Sequence, residues 1–528
     1  MDSNKLLGYT LLLYLILLFF QHNNKDLKKQ DVIPEPSQSH WYDVNLKVND
    51  NVKKNQEYVL ENDELKIYFS TLGGGIKTVE LKNYEKFSGG PVTLVNNHSS
   101  ILNCQICTGE QCLDTYDKNF DVITYDNKIV FEYSYGQDEK ITQTYSFDPH
   151  NKFAIQYSLD ISNISNKETT LFLDNLLLQQ EKNFKDCQLD SNISFCNKEG
   201  KVSTLVAHPQ QPVEKDNINL KWIALKQKFF TTGLFITNDN DSKVYSYKKA
   251  DSVLQHSKIS FKITSKNNIV MKYYFGPNVF KNLKPFADKF ENTIYYGVPV
   301  VRIVNKYLIL PAIDFLSKKG FVAILILLLI TLFLKILLFP FSLHMQRVGE
   351  RLKIINPLLQ RLNEKYKDDQ QRLIFEQAKL YRQYNVNPFS PLLGSFIQIP
   401  LIIAMFNAIP ISMAFRGQKF LWCSDLSSYD SIIDFKFSIP FYGDHISLMS
   451  LLAVVVTTLF LFYEGRTMNT SKNSKIFIIM SILMMTWFSN NFCAALNIYY
   501  IMLGVFSFLN SYVVRKLTSS QNIEKNND

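Results

Sequence analysis

Residues 321–339 read FVAILILLLITLFLKILLF, and this run decides the fold. It is long and apolar enough to cross a ~30 Å hydrocarbon core as a helix. One residue breaks it, Lys335. A charge at the centre of such a helix costs about 2.5–3.5 kcal/mol on insertion scales, so it normally faces a bundle interior or a wet cavity. Lys335 lies fourteen residues past Phe321, or ~21 Å along the helix, where a lysine could also snorkel to nearby headgroups. Other polar side chains tilt the balance towards a hydrated cavity: Thr331 one turn earlier, and Gln398, Asn407, Asn497, Tyr499 and Tyr500 in later apolar segments.

Those later segments are 392–411, 446–463, 476–488 and about 493–514. A further apolar run, 6–20, follows the opening MDSNK. It has the character of a signal-peptide core, but Gln21-His22-Asn23-Asn24 offers no small-residue cleavage site, so an uncleaved anchor is favoured. Either reading exports what comes next. With the anchor the expected count is six transmembrane helices, five of them forming the core. The stretch 341–391 carries nine Lys/Arg, which places it on the cytoplasmic side, and the chain then runs N-in and C-in. Residues 298–318 are apolar with Arg302, Asn305, Lys306 and Asp314 interspersed, which suits a helix lying at the outer membrane face.

Residues 21–57 are polar, contain Pro34-Glu35-Pro36 and read as a linker. From about 58 to 280 the texture changes to short alternating segments rich in β-branched and aromatic residues, such as 65–70, 129–135, 141–147, 153–161 and 269–275. Turn clusters such as Gly73-Gly74-Gly75 separate them. A large exported all-β sandwich is expected. Its five cysteines (Cys104, Cys107, Cys112, Cys187, Cys196) point to one or two disulfides with an odd thiol, because export places them in an oxidising compartment. Cys104-x2-Cys107 has no second pair to complete a zinc set, so no metal is expected.

The charged stretch 341–391 carries two helical patterns. Val348, Leu352, Ile355, Leu359 and Leu362 share one face; Leu373, Leu380 and Tyr384, beside Ile374, Ala378 and Tyr381, form a partner; Lys367-Asp368-Asp369 makes the turn. The reading is an antiparallel cytoplasmic hairpin. Its outer charges, Arg361, Lys365, Lys367, Asp368 and Asp369, either simply face water or meet a large partner.

Composition excludes several classes. The net charge of +9 is modest and spread along the chain, so no nucleic-acid target is expected. No P-loop, His-Glu-x2-His or Gly-x-Ser-x-Gly occurs, and neither an enzyme nor a cofactor is called for.

Taken together the motifs resemble the YidC/Oxa/Alb membrane protein insertases, in the Gram-negative YidC form. The hairpin residues Asn356-Pro357, Asp368-Asp369-x-Gln371-Arg372, Leu380-Tyr381 and Val386-Asn387-Pro388 are similar to that family's first cytoplasmic loop. Ile397-Gln398-Ile399-Pro400, Leu421-Trp422, Asp425-Leu426-Ser427, Asp430 and Tyr499-Tyr500 follow in the family's order. In the exported domain, Gly73-Gly74, Trp222-x-Ala224-x2-Gln227-x2-Phe230-x-Thr232 and Gly276-Pro277 resemble its β-sandwich. The resemblance implies a hydrophilic groove whose usual arginine is replaced here by Lys335, with Thr331, Gln398, Pro400, Tyr499 and Tyr500 as groove or client-contact positions. It implies a multi-pass protein of the bacterial inner membrane that inserts and chaperones nascent inner-membrane proteins. The ribosome, the Sec translocon and membrane lipids are the partners it implies. The expected division is anchor 1–20, linker 21–57, periplasmic β-sandwich 58–285, interfacial helix linker 286–319, insertase core 320–514 and cytoplasmic tail 515–528. A secondary transporter of an anionic solute is the alternative; it calls for paired broken helices in two matching halves, which the sequence does not display.

Overall fold

The computed structural model describes residues 55–525, apart from 97–99, 109–110, 136–138, 163–167, 208–211, 249–253, 264–267, 385–386, 388–389, 440–441 and 468–471. The anchor expected at 1–20 and nearly all of the linker lie outside them. The described chain falls into two units, one of strands ending at Tyr295 and one of helices from Tyr296.

Alternation builds the first unit. Four strands, β1 (Glu57–Glu61), β2 (Leu65–Ser70), β3 (Gly75–Glu85) and β4 (Pro91–Val95), form one sheet in that order. A second runs β14 (Val213–Ile218), β17 (Asp241–Tyr247), β18 (Gln255–Ile263), β11 (Glu168–Leu177), β5 (Ser100–Thr108), β6 (Gln111–Asp114). The third has nine strands: β13 (Val202–Leu205), β12 (Asn192–Asn197), β15 (Leu220–Lys226), β16 (Phe230–Ile236), β19 (Ile269–Pro277), β10 (Ala154–Ser162), β9 (Lys140–Phe147), β8 (Lys128–Ser134), β7 (Asp121–Tyr125). Of the strand segments expected from sequence, 65–70 coincides with β2, 129–135, 141–147 and 153–161 fall within one residue of β8, β9 and β10, and 269–275 stops two residues short of the end of β19. Along β11 every second residue is buried, including Leu171 and Leu173, because successive side chains point to opposite faces.

The core is aromatic. Tyr145 packs 4.9 Å from both Phe69 and Tyr157, centroid to centroid. The motif Trp222…Phe230…Gly276-Pro277 has a packing cause. Trp222 meets Phe290 edge-on at 5.0 Å, and its Nε1 donates to the Asp288 carbonyl. A Cβ on Gly233 would lie 2.5 Å from Phe290, and one on Gly276 2.8 Å from Phe153, so only glycine fits either place. Phe286 and Phe290 thus dock on the strands, and the unit runs to Tyr295, beyond the expected limit at 285. Gly73 and Gly74 turn β2 into β3 with φ of +79° and +61°.

One disulfide joins Cys107 to Cys112, directly opposite each other across β5 and β6. Cys104, Cys187 and Cys196 are buried thiols. Among the described residues no cluster of His, Cys, Asp and Glu could hold a metal.

In the strand unit, α1 (Phe184–Asp190) and α2 (Phe280–Leu283) are short. In the helical unit, α3 (Pro299–Val304), a π-helical turn (Asn305–Ile309) and α4 (Leu310–Lys318) precede α5 (Ala323–Lys365), α6 (Gln370–Gln383) and α7 (Ser390–Ile411). After a β20 (Ile433–Ile439) and β21 (Gly443–Ile446) hairpin come α8 (Leu448–Thr467), α9 (Lys472–Ser489) and α10 (Ala494–Lys525). Helix α5 is 43 residues long and contains Pro340 and Pro357, so the apolar run and the first arm of the charged hairpin are one helix of about 65 Å. Helix α6 folds back along it, capped by the Asp369 side chain, which accepts from the Arg372 N–H. Val348 and Ile355 are buried in the seam with Leu352, Leu359, Leu380, Tyr381 and Tyr384 around them. Among the described residues two stretches are long and apolar enough to cross a membrane, Ala323–Gly349 and Ala494–Val514; Gln398–Ile411 and Leu448–Tyr463 are apolar but shorter.

Candidate functional site

Helix periodicity places Lys335. On α5 the residues Ala323, Ile326, Leu327, Ile330, Thr331 and Leu334 are buried, a stripe with the i, i+3, i+4 spacing of one helical face. Lys335 continues the stripe, one turn beyond Thr331, whereas Leu332, Phe333, Ile336 and Leu337 are exposed on the other side. The lysine therefore turns inward among the helices.

There its Nζ donates to Ser507 Oγ on α10 at 2.7 Å. The Ser507 hydroxyl donates to the Leu503 carbonyl at 2.6 Å, which leaves its lone pairs free for the ammonium. Thr331 likewise donates to the Leu327 carbonyl one turn back, so its hydroxyl is satisfied within α5. A narrow cleft opens here, lined by Thr331, Leu334, Lys335, Leu338, Gln398, Leu401, Ile402, Tyr499 and Leu503. Three helices meet at it: α5, α7 and α10. A fixed cation with hydroxyl and amide neighbours, set in apolar walls, can attract a carboxylate or its water without making covalent bonds.

Of the six groove positions expected from sequence, Lys335, Thr331, Gln398 and Tyr499 line this cleft together. Tyr500 and Pro400 do not. Tyr500 is half-buried beside Tyr499 and Phe492, and Pro400 sits half-buried within α7. Ser507 went unremarked in the sequence; its only signal is the row Tyr499, Leu503, Ser507 at i, i+4, i+8 on one face of α10. The hairpin residues Arg361, Lys365, Lys367, Asp368 and Asp369 are exposed around the α5–α6 turn, where Lys365 and Arg372 both approach the Tyr366 ring.

The segment between α7 and α8 is bonded tightly onto the helix ends. Buried Asp430 accepts from Trp422 Nε1, from the Ser447 hydroxyl and from the Met449 N–H, capping α8. Asn490 donates to the carbonyls of Tyr442 and His445 and accepts from the Ser447 N–H. The carbonyls of Ser428 and Leu426 accept the Ala494 and Ala495 N–H groups at the start of α10. Within the Asp425…Asp430 motif, Asp425 accepts from the Gly417 and Ser427 N–H groups. Both acidic residues therefore serve to hold backbone.

Among known proteins, a family model described as the YidC periplasmic domain matches residues 57–310, and one described as the 60Kd inner membrane protein matches 315–522. The membrane protein insertase YidC of Amoebophilus asiaticus (strain 5a2) is 27% identical over 561 residues, covering 99% of this chain and 94% of the relative. That of Chloroherpeton thalassium (strain ATCC 35110 / GB-78) is also 27% identical, with coverage of 99% and 97%. A crystal structure of an active YidC insertase aligns with 87% of this chain and 93% of its own, at 14% identity and a TM-score of 0.35. With two adjoining family models running from residue 57 to 522 and relatives matched end to end, the chain belongs to the YidC family of membrane protein insertases.

Proposed function

We propose that this protein moves nascent transmembrane segments from the cytoplasm into the inner membrane through the cleft around Lys335. The observation that carries the mechanism is the inward-facing Lys335–Ser507 pair within a three-helix cleft. A polar or acidic tail crossing lipid meets this pocket part-way, which shortens the dry distance and offers an opposite charge. The apolar segment then leaves sideways into lipid, and its burial, at about 25 cal/mol per Å², drives the step without nucleotide. The topology that fits is six spans, N-in and C-in, with the strand unit in the periplasm and the α5–α6 hairpin in the cytoplasm. Nascent inner-membrane proteins are the clients; the ribosome at the hairpin and the Sec translocon are the proposed partners. The relatives lend no support to the transporter alternative.

The test is rescue of cells depleted of their own insertase, with Lys335→Glu and Lys335→Arg compared on clients of graded tail acidity. Rescue by the wild type and selective failure of the Glu variant on acidic tails support the reading. No rescue by well-expressed wild type sinks it.

A further inference from the structure

The β20–β21 hairpin carries an alternation that the insertion mechanism does not use. In β20 the apolar Ile433, Phe435, Phe437 and Ile439 alternate in sequence with Asp434 and Lys436; the pairing with β21 bulges between Asp434 and Ile439, and the Phe435 and Phe437 rings lie side by side. Two of these apolar residues are uncovered: Ile433 is 51% exposed and Phe437 65%, and 5.5 Å separates the two ring centroids. A two-stranded hairpin is marginal in water on its own, and one with an open aromatic ring more so. It is, however, fixed at both its turn and its base. The Tyr442 carbonyl takes bonds from Asn490 and Asn491, a Cβ on Gly443 would lie 2.6 Å from Asn491 Oδ1, and Asp430 ties Trp422 to the start of α8.

Position names the occupant. Strand β21 ends at Ile446 and α8 begins at Leu448, so the hairpin sits at the end of a helix whose uncovered residues are themselves apolar: Leu451, Leu452, Val455, Leu459 and Phe462. Trp422 and Trp487 are part-exposed, and Tyr442, at the hairpin's own turn, packs against Trp487. Aromatic residues gather where hydrocarbon meets headgroups, and a lysine among them can reach phosphates. We propose that the hairpin is an outer-leaflet anchor, its Ile433, Phe435, Phe437 and Ile439 side chains resting in the headgroup–acyl boundary of the bilayer. This rests on the reading that α8 crosses the membrane.

The experiment is spin labelling of the full chain in phosphatidylethanolamine–phosphatidylglycerol vesicles, at Phe437→Cys, Lys436→Cys and Leu459→Cys, with Ile433→Cys as a second apolar site. The native free cysteines among the described residues are buried, and the unsubstituted protein sets the labelling background. Collision with oxygen and with a water-soluble nickel chelate is measured at each site. An anchor gives several-fold greater access to oxygen than to the chelate at 437 and 433, as at 459, and the reverse at 436. Chelate access at 437 with a lipid-like 459 overturns the anchor while the span reading stands. Low access to both reagents at 437 means that protein, whether another segment or a second copy, covers the site, and also overturns it. A water-like 459 removes the span reading and the anchor with it.

Discussion

Replacing Lys335 by arginine should keep most insertion of acidic-tailed clients, because the charge persists and the guanidinium still reaches Ser507. Ser507→Ala removes a hydrogen bond to a charged group, worth about 1.5–3 kcal/mol, and should reduce insertion several-fold. Client protease protection at matched expression reads both variants, and equal behaviour of the two would deny the pair a role. The cost of the lysine was evident from the apolar run, but its face was not: the run is apolar all round, and Thr331 one turn earlier only tilted the reading from snorkelling towards a cavity. Its partner was not evident, because Ser507 lies 172 positions away and only helix packing brings it near. In the strand unit, burial pushes the Lys248 ammonium down from 10.5 to about 8, while it donates to the Gln188 carbonyl. Below about pH 8 both folded and unfolded forms are charged and the burial cost is full. As pH rises from there towards 10.5, the folded form has lost the proton and the unfolded form has not, so the cost falls. Buried Cys187, pushed up from 9.0 to about 12, acts oppositely above pH 9. Wild type must therefore be compared with Lys248→Met. The stability gap should move in favour of wild type between about pH 7.5 and about pH 9.5, in denaturant melts followed by tryptophan fluorescence. A gap independent of pH would show that Lys248 is not buried as a cation.

At the scale of elements, the hairpin seam was legible because its period of 3.6 is a local property; Ile355 and Val348 are buried where the pattern placed them. The joint between span and hairpin was not. The change from apolar to charged text near Phe341 looks like a boundary, yet backbone hydrogen bonding continues and α5 runs on to Lys365. Because Ile355 is fully buried in the seam, Ile355→Ala should cost about 2–5 kcal/mol of local hairpin stability, seen as faster amide exchange in α6 than in α8. Reversing Arg361, Lys365 and Lys367 leaves the seam intact and should weaken ribosome or nascent-chain binding more at low salt than at high salt, since exposed charges are screened over ~8 Å at physiological ionic strength. Unchanged binding at low salt would count against an electrostatic surface.

At the scale of the whole molecule, the two units invite separation. The cleft residues all belong to the helical unit, so removal of the strand unit should preserve most rescue activity. The cut matters. Ending a deletion at 270 would leave most of β19 together with Phe286 and Phe290, while Trp222 and Phe153, which pack against Phe290 and Tyr274, would be gone. Deletion of 57–295 should rescue well, and deletion of 60–270 poorly through aggregation. Equal failure of both at matched membrane levels would mean that the strand unit is needed for insertion.

What the chain's text determined by itself is what depends on neighbours in sequence: the apolar runs, the alternation of the strands, the helical hairpin and the positive-inside charge bias. These follow from the helix and strand periods and from the cost of charge in hydrocarbon. The motif set identified the family for the same reason, as order and spacing are linear. Tertiary structure alone decided which residues share a space. It joined Lys335 to Ser507 and left Tyr500 and Pro400 outside the cleft. It chose Cys107–Cys112 from five cysteines, and it turned the Asp430 motif into a helix cap. Each of these is a contact across long sequence separation or a choice among equivalent partners, settled by packing and by the need of buried polar groups for hydrogen bonds.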